Sequence, residues 1–328
     1  MSQSTASIGS WLASPPPAVA LEITATSVLG VALAEQRGSR NVAAHANQGL
    51  TEGVVVPALN APNIHDEGAL AGAIGDVLDR LGQRARRVAL VLPDSVAKVS
   101  IVRFEKVPAK AQDLEQLIRW QVRKSAPFRI EDAQVAWQPA LALAGGGREY
   151  LVTVARRDII RGYEQACDAA GAHAGLVDIT SFNQVNAVLA GAAVAGDWLL
   201  INVAVDYATL ALVRAGDIIF FRNRTAAAGG DLADLVHQTA MYHEDRLGGG
   251  GFTRIVLAGI SVMGAEEAER LRRMLSDRVG ATVELIDFRS AAEMRDRIAV
   301  GPDLLDQLAP AVGILLRERS SRRASEVA

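Results

Sequence analysis

Apolar residues recur along the chain with two periods, and the points where one period gives way to the other outline its elements. From Ala20 to Ala34 the segments ALEITA and VLGVALAE read as two strands joined by a small-residue turn at Thr24 to Ser27, with a further strand near Val42. The spacing then changes. Leu70, Ala73, Ile74, Val77, Leu78 and Leu81 share one face of a helix that His65 and Asp66 precede. The run Val88 to Leu92, ended by Pro93, predicts a strand buried on both sides. Alternation returns in SVAKVSIVRFEKVP, and a helix from about Asp113 to Ser125 follows, with Leu114, Leu117, Ile118 and Val122 inward and Pro127 past its end. VAWQPALAL and REYLVTVAR are strands on either side of Gly145-Gly146-Gly147. Asp158 then opens a helix with Ile159, Ile160, Tyr163 and Cys167 on its inner side, and Gly171 ends it.

Near Trp198 the opening pattern starts again as LLINVA, a turn at Val205 to Ala208, TLALVRAG and DIIFFRNR. Gly229-Gly230 lead into a helix through Leu232, Leu235, Val236, Thr239 and Tyr242. Glycines at 248 to 251 break it, and RIVLAGI returns as a buried strand. Ser261 is read as the N-cap of a following helix. Two meanders, each followed by helices and a buried strand, predict a duplicated ribonuclease-H-like α/β domain, with residues 94 to 170 as a small α/β insertion in the first half.

Composition is compatible with two such cores: 50% of the 328 residues are hydrophobic and 22% charged. The ends differ. Residues 1 to 17 are rich in Ser, Ala and Pro and close on Pro15-Pro16-Pro17, which predicts an extended tail anchored at most by Trp11 and Leu12; residues 318 to 328 are polar and expected to fray. The single Cys167 excludes an internal disulfide or a thiolate metal site and fits a reducing compartment. A net charge of -3 and a pI of about 6.0 argue against nucleic acid as a partner, although Arg84, Arg86 and Arg87 form one basic run. The chain start lacks the pattern of a signal peptide and no segment reaches the roughly 20 apolar residues of a membrane span, so a soluble cytoplasmic protein is expected.

Common catalytic patterns are missing from the sequence: no Walker A, no G-x-G-x-x-G after a strand and no H-E-x-x-H. Gly259-Ile260-Ser261-Val262-Met263 falls one glycine short of a nucleophile elbow. His237 and His243 lie on different helix faces and are expected at the surface. Trp120, Trp137 and Phe128 are expected in a core, with a peptide groove as the alternative; Arg119, Arg123, Lys124 and Arg129 around them read as a solvated face.

The segment VALVLPDSVAKVSIVRFEKVP, followed by LEQLIRWQVRKSAPFRIEDAQVAWQ, resembles the PilM family of type IV pilus assembly proteins: a Trp-containing helix, a basic residue, Pro-Phe, and an acidic pair before a strand. REYLVTVARRDIIRGYEQACDAAG, LVDITSFNQVNAV, IIFFRNRTAAAGGDL and LAPAVGILLR are similar to family segments in the same order, so the resemblance runs from about 18 to 317. It implies the actin-like fold, also that of FtsA, with domains at about 18–195 and 196–317. It implies a scaffold at the inner face of the inner membrane, peripheral to it through partners. That scaffold binds the cytoplasmic N-terminal tail of a bitopic PilN-like protein between the first domain and the insertion, alongside other pilus assembly components. Val99, Ile101, Arg103, Trp120, Arg123, Lys124 and Phe128 are the expected partner residues. Two other readings compete with it: an actin-like ATPase, and a GspL-like cytoplasmic component of type II secretion.

Family resemblance also locates a nucleotide cleft. At the first phosphate turn, Glu22 to Ser27, the family has Asp, an apolar residue and Gly, with a Lys shortly after; here Glu22, Thr24 and Leu29 stand in those places. At the second turn Asn202 and Ala204 replace Asp and Gly, and Asp206 is read as an exposed turn residue. A third contact has Gly259-Ile260 for Gly-Gly, and the Ile260 side chain is expected to crowd a base or ribose; Gly229-Gly230 is retained. The cleft residues are thus Thr24, Ala25, Thr26, Ser27, Asn202, Ala204, Asp206, Gly229, Gly230 and Gly259. They form a degenerate site in which ATP with magnesium is at best weakly held and ATPase activity is weak or absent, with no catalytic or metal-binding residue assigned.

Overall fold

The computed structural model describes residues 17–36, 38–82, 87–191, 194–229, 231–294 and 300–326. Trp11, Leu12, Arg84, Arg86 and Gly230 lie outside them. A meander of β1 (Val19–Ile23), β2 (Ser27–Gln36) and β3 (Ser39–Gly49) is followed by α1 (Glu67–Arg80) and β4 (Arg87–Leu92). Asp66 starts α1 as the sequence suggests, its Oδ1 accepting the Ala69 N–H at 2.9 Å. The inserted unit contains β5 (Ala97–Phe104), α2 (Ala111–Arg123), β6 (Ala133–Ala142) and β7 (Arg148–Arg156). The chain then returns through α3 (Arg157–Ala169), β8 (His173–Ile179) and α4 (Thr180–Gly191).

A second meander, β9 (Asp197–Val203), β10 (Tyr207–Arg214) and β11 (Asp217–Thr225), leads into α5 (Leu232–Leu247), β12 (Arg254–Ala258), α6 (Ala265–Val279) and β13 (Val283–Leu285). The chain ends with β14 (Glu293–Met294) and α7 (Pro302–Glu326). Residues 318–326, expected to fray, continue α7, in keeping with the helix propensity of Arg, Glu and Ala.

The two meanders are the same object. Strand order is β14-β3-β2-β1-β4-β8 in the first sheet and β11-β10-β9-β12-β13 in the second, so both halves follow one plan around their central strands. The correspondence extends to single residues: Glu22 pairs with Leu29 as Asn202 pairs with Thr209. The turns close alike, Thr24 N–H on Ser27 O at 2.9 Å and Ala204 N–H on Tyr207 O at 2.8 Å. Bulges follow at Ala32/Leu33 and Leu212/Val213. A bulge repeated at the matched position bends both meanders in the same place.

The C-terminal stretch crosses back over this partition. β14 pairs with β3 of the first sheet, and α7 packs on α4, β1, β2 and β4. Gly313 allows the close approach of α7 to α4, since a Cβ there would sit 1.8 Å from the Asn183 carbonyl oxygen. α4 is buried on nearly all sides, at Thr180, Ser181, Asn183, Gln184, Val185, Ala187 and Val188. Its residues join both halves in one core with Val31, Val91, Leu200 and Val256. Such fully buried aliphatic side chains each contribute about 2 kcal/mol.

Candidate functional site

Two concavities result from this architecture. The first is a cleft of about 120 Å³ walled by the β1–β2 and β9–β10 turns, the start of α4, the turn after β12, and α7. Thr24, Ala25, Thr26, Ser27, Asn202, Ala204, Asp206 and Gly259 line it, as expected for the matched hairpins of a duplicated fold. Gly229, with φ 65°, follows the 3-10 turn 226–228 and is not among the lining residues.

Local chemistry differs from that of a phosphate cradle. Thr24 Oγ1 accepts the Thr26 and Ser27 N–H groups at 3.2 and 3.0 Å, so the turn satisfies its own donors. Leu29 is 4% exposed and belongs to the core. Ile260 does not crowd the cleft as expected: Gly259, at φ 78°, directs the chain so that Ile260 is buried among Leu199, Leu210 and Leu257. Ser261 is not an N-cap either, since it sits in the 3-10 turn 260–262 and α6 begins after Gly264. Asp306 of α7 explains that turn. Its carboxylate accepts Gly259 N–H at 2.6 Å and Ser261 N–H at 2.8 Å.

Buried polar groups bind the halves together beneath the cleft. Asp94, fully buried after β4, accepts the Ser181 N–H at 2.9 Å, the Ser181 hydroxyl, the Thr209 hydroxyl at 2.7 Å and the Asn202 amide at 3.4 Å. Burial raises its pKa, against the lowering effect of those donors. Glu22 is 7% exposed and accepts the Thr180 hydroxyl at 3.1 Å. Desolvation, opposed by that bond and assisted by Asp306 and Asp94, pushes its carboxyl up to about 8. Asp306 is likewise raised by burial. Asp206 is half-buried instead of exposed, and desolvation raises it.

The second concavity is a groove of about 710 Å³ between the first half and the insertion. One wall is β8, the last strand of its sheet, contributing Ala174 to Ile179; α3 adds Ile160 and Arg161, and α4 adds Phe182 and Leu189. The opposite wall is β6 and β7, through Gln134, Ala136 and Gln138 with Leu151, Thr153 and Ala155. Gly216 and Ile218 from the second half and Arg317 from α7 complete it.

None of the seven expected partner residues lines this groove. Val99, Ile101 and Arg103 share the sheet face of Leu151 and Thr153 but stand on the edge strand β5, beside β11, whereas the other four belong to α2 and the segment after it. α2 covers the other face of the inserted sheet, packing Ile118 and Val122 on Val135, Tyr150, Val152 and Val154. Trp120 is therefore 63% exposed on the outer side, a correction to its expected core position; Arg123 and Lys124 are exposed beside it. Phe128 is half-buried against the insertion core, Trp137 is half-buried there and also lines the groove, Arg103 is exposed on β5, and Val99 and Ile101 pack inward toward the main core. The signal that could have found the groove face was the alternate set of β6 and β7 positions.

His243, expected at the surface, is fully buried: its Nε2 lies 2.6 Å from Asp197 Oδ2 and its ring stacks on Phe252 at 4.7 Å. Arg214 holds the same carboxylate, which hydrogen bonds to Arg214 and His243 lower in pKa. His237 is exposed. Among the described residues no metal-binding group of three acidic, His or Cys side chains occurs, and no helix is long and apolar enough to cross a membrane.

No curated protein matches the chain significantly. A solved PilM-PilN type IV pilus biogenesis complex is similar over 92% of this chain and 98% of that one, with TM-score 0.76 and 18% identity, consistent with the actin-like fold. Weaker likenesses are the cytoplasmic domain of EpsL from Vibrio cholerae (TM-score 0.49, 11% identity, 92% and 94% covered) and the ethanolamine utilization protein EutJ from Carboxydothermus hydrogenoformans (0.47, 12%, 93% and 90%). The family described as type IV pilus assembly protein PilM matches residues 20–246, and the chain, built on a duplicated actin-like plan, belongs to that family.

Proposed function

We propose that the protein is a type IV pilus assembly scaffold that captures the cytoplasmic tail of a PilN-like membrane partner in the groove beside β8 and so sits at the inner face of the inner membrane. The observation that carries this reading is the groove itself: about 710 Å³ of mixed apolar and polar wall along β8, which ends its sheet among the described residues. An extended tail can add to such an edge through its backbone while side chains enter the groove. The similar structure contains PilM together with PilN, which supports a partner of that kind.

Nucleotide turnover has no part in this scaffold role. Sites for ligands of drug size occupy about 300–1,000 Å³, whereas the cleft offers about 120 Å³. The N–H groups of Thr26, Ser27, Gly259 and Ser261 are already bonded to Thr24 and Asp306. ATP with magnesium accordingly binds weakly or not at all, and hydrolysis is negligible.

Titration calorimetry with a synthetic peptide copying the tail of the PilN-like protein from the same genome tests the reading. Micromolar binding is expected, at least tenfold weaker for Ile160→Glu in the groove and unchanged for Trp120→Ala outside it. A folded Ile160→Glu protein with normal affinity refutes the groove; no binding to the unmodified protein refutes the partner.

A further inference from the structure

The cleft between the hairpin turns is walled by hydrogen-bond acceptors and lacks a base. Among its described lining residues three are acidic, Glu22, Asp206 and Asp306, and none is Lys, Arg or His. Gln184 adds an independent sign. It is 1% exposed, its amide nitrogen donates to Asn202 Oδ1 at 3.0 Å, and its Oε1 has no partner. A buried carbonyl oxygen without a donor is rare and needs an explanation. Glu22, Asp206 and Asp306 line the same cleft, and no donor among the described residues hydrogen-bonds Gln184 Oε1.

The geometry points to a binding site for a small organic cation, a primary ammonium or guanidinium group on a short stem, held by Glu22, Asp306 and the Gln184 carbonyl oxygen. The inference deepens the reading that this cleft has ceased to hold nucleotide. About 120 Å³ is room for several heavy atoms. The mouth suits the methylene stem, because Val205 and Val262 stand 62% and 55% exposed there beside Ala25 and Pro93. Charge balance agrees. With no cation bound, Glu22 stays protonated near neutrality, facing Asp94 from the turn after β4, Asp306 from α7 and Tyr207 from β10. A bound ammonium supplies the missing positive charge, and the Glu22 proton passes to solvent.

Ethylammonium is the probe, with sodium and tetramethylammonium chloride at equal ionic strength as controls; tetramethylammonium carries the charge without an N–H. Ethylammonium is expected to raise the melting temperature by about 2 °C at roughly tenfold excess over Kd, and further with the logarithm of its concentration. Calorimetry at pH 7 in two buffers of different ionisation enthalpy is expected to report proton release. Glu22→Gln abolishes that release and weakens binding about tenfold; Gln184→Leu weakens binding but keeps the release. Equal response to all three salts overturns the cation site without needing either variant to fold. A magnesium-ATP titration separates the two failures: saturable nucleotide binding overturns the nucleotide-free reading, whereas silence toward both ligands overturns the cation site alone.

Discussion

Replacing Glu22 by Gln should make the protein more stable at pH 8 while leaving it nearly unchanged at pH 5. Its folded carboxyl is pushed up to about 8 from an ordinary 4.5. Between those values the unfolded chain has lost the proton and the folded chain keeps it, so the folded state binds more protons and stability falls as pH rises. Above pH 8 the loss is complete. The difference of about 3.5 units corresponds to roughly 5 kcal/mol, at about 1.36 kcal/mol per unit. Gln preserves the shape and the acceptor for the Thr180 hydroxyl and cannot ionise. Asp94 and Asp306, also raised, titrate in both proteins, so the difference between variant and parent reports Glu22 together with its coupling to these two carboxylates. Urea unfolding from pH 5 to 8.5 measures it. Parallel stability curves for the two proteins would refute the reasoning, because they require Glu22 to titrate alike folded and unfolded.

Three further outcomes follow from the packing. Asp94→Ala strips the acceptor from Ser181, Thr209 and Asn202, and should cost about 3–5 kcal/mol by urea unfolding. Gly313→Ala, whose Cβ would meet the Asn183 oxygen at 1.8 Å, should lose about 2–3 kcal/mol in thermal unfolding, while Gly72→Ala, with no atom within 4 Å, should gain about 0.5–1 kcal/mol. Cys167 is fully buried with its thiol pushed up to about 12, so a thiol-specific colorimetric reagent should leave it unmodified until denaturant is added.

α1 was legible because its one buried face writes a period into the sequence, whereas β1, β9 and β10, buried on both faces, were legible as short apolar runs between turns. α4 has no such stripe: it is buried all round, with Asn183 and Gln184 among its covered residues, so its sequence shows only mixed polarity. The turns that wall the cleft were legible as small-residue breaks between strands, yet the chemistry of the cleft depends on distant pairings. Nothing near Asp94 announces that it meets Thr209, and nothing near Gly259 announces Asp306. His243 was misread for the same reason, since its partner Asp197 lies in another element. Trp120 was misplaced because the helical stripe of Ile118 and Val122 decides which side of α2 is inward, and Trp120 falls off that stripe.

An actin-like cleft that works with nucleotide must keep backbone donors free for phosphate and let the bound nucleotide set the spacing of its two halves. Here the first requirement fails at two turns, and the second is met from within the chain. Thr24 and Asp306 occupy the donors, and Asp94 links α4 of the first half to β9 and β10 of the second without any ligand. That link bears on the groove, whose rim includes Gly216 and Ile218 from the second half and Arg317 from α7. On the function proposed above, fixing the halves fixes the rim, and one groove shape is expected with or without ATP. Tail affinity measured with and without magnesium-ATP should then be equal. A severalfold change would mean that the halves move on nucleotide binding, and that the Asp94 link opens where the reasoning requires it to hold.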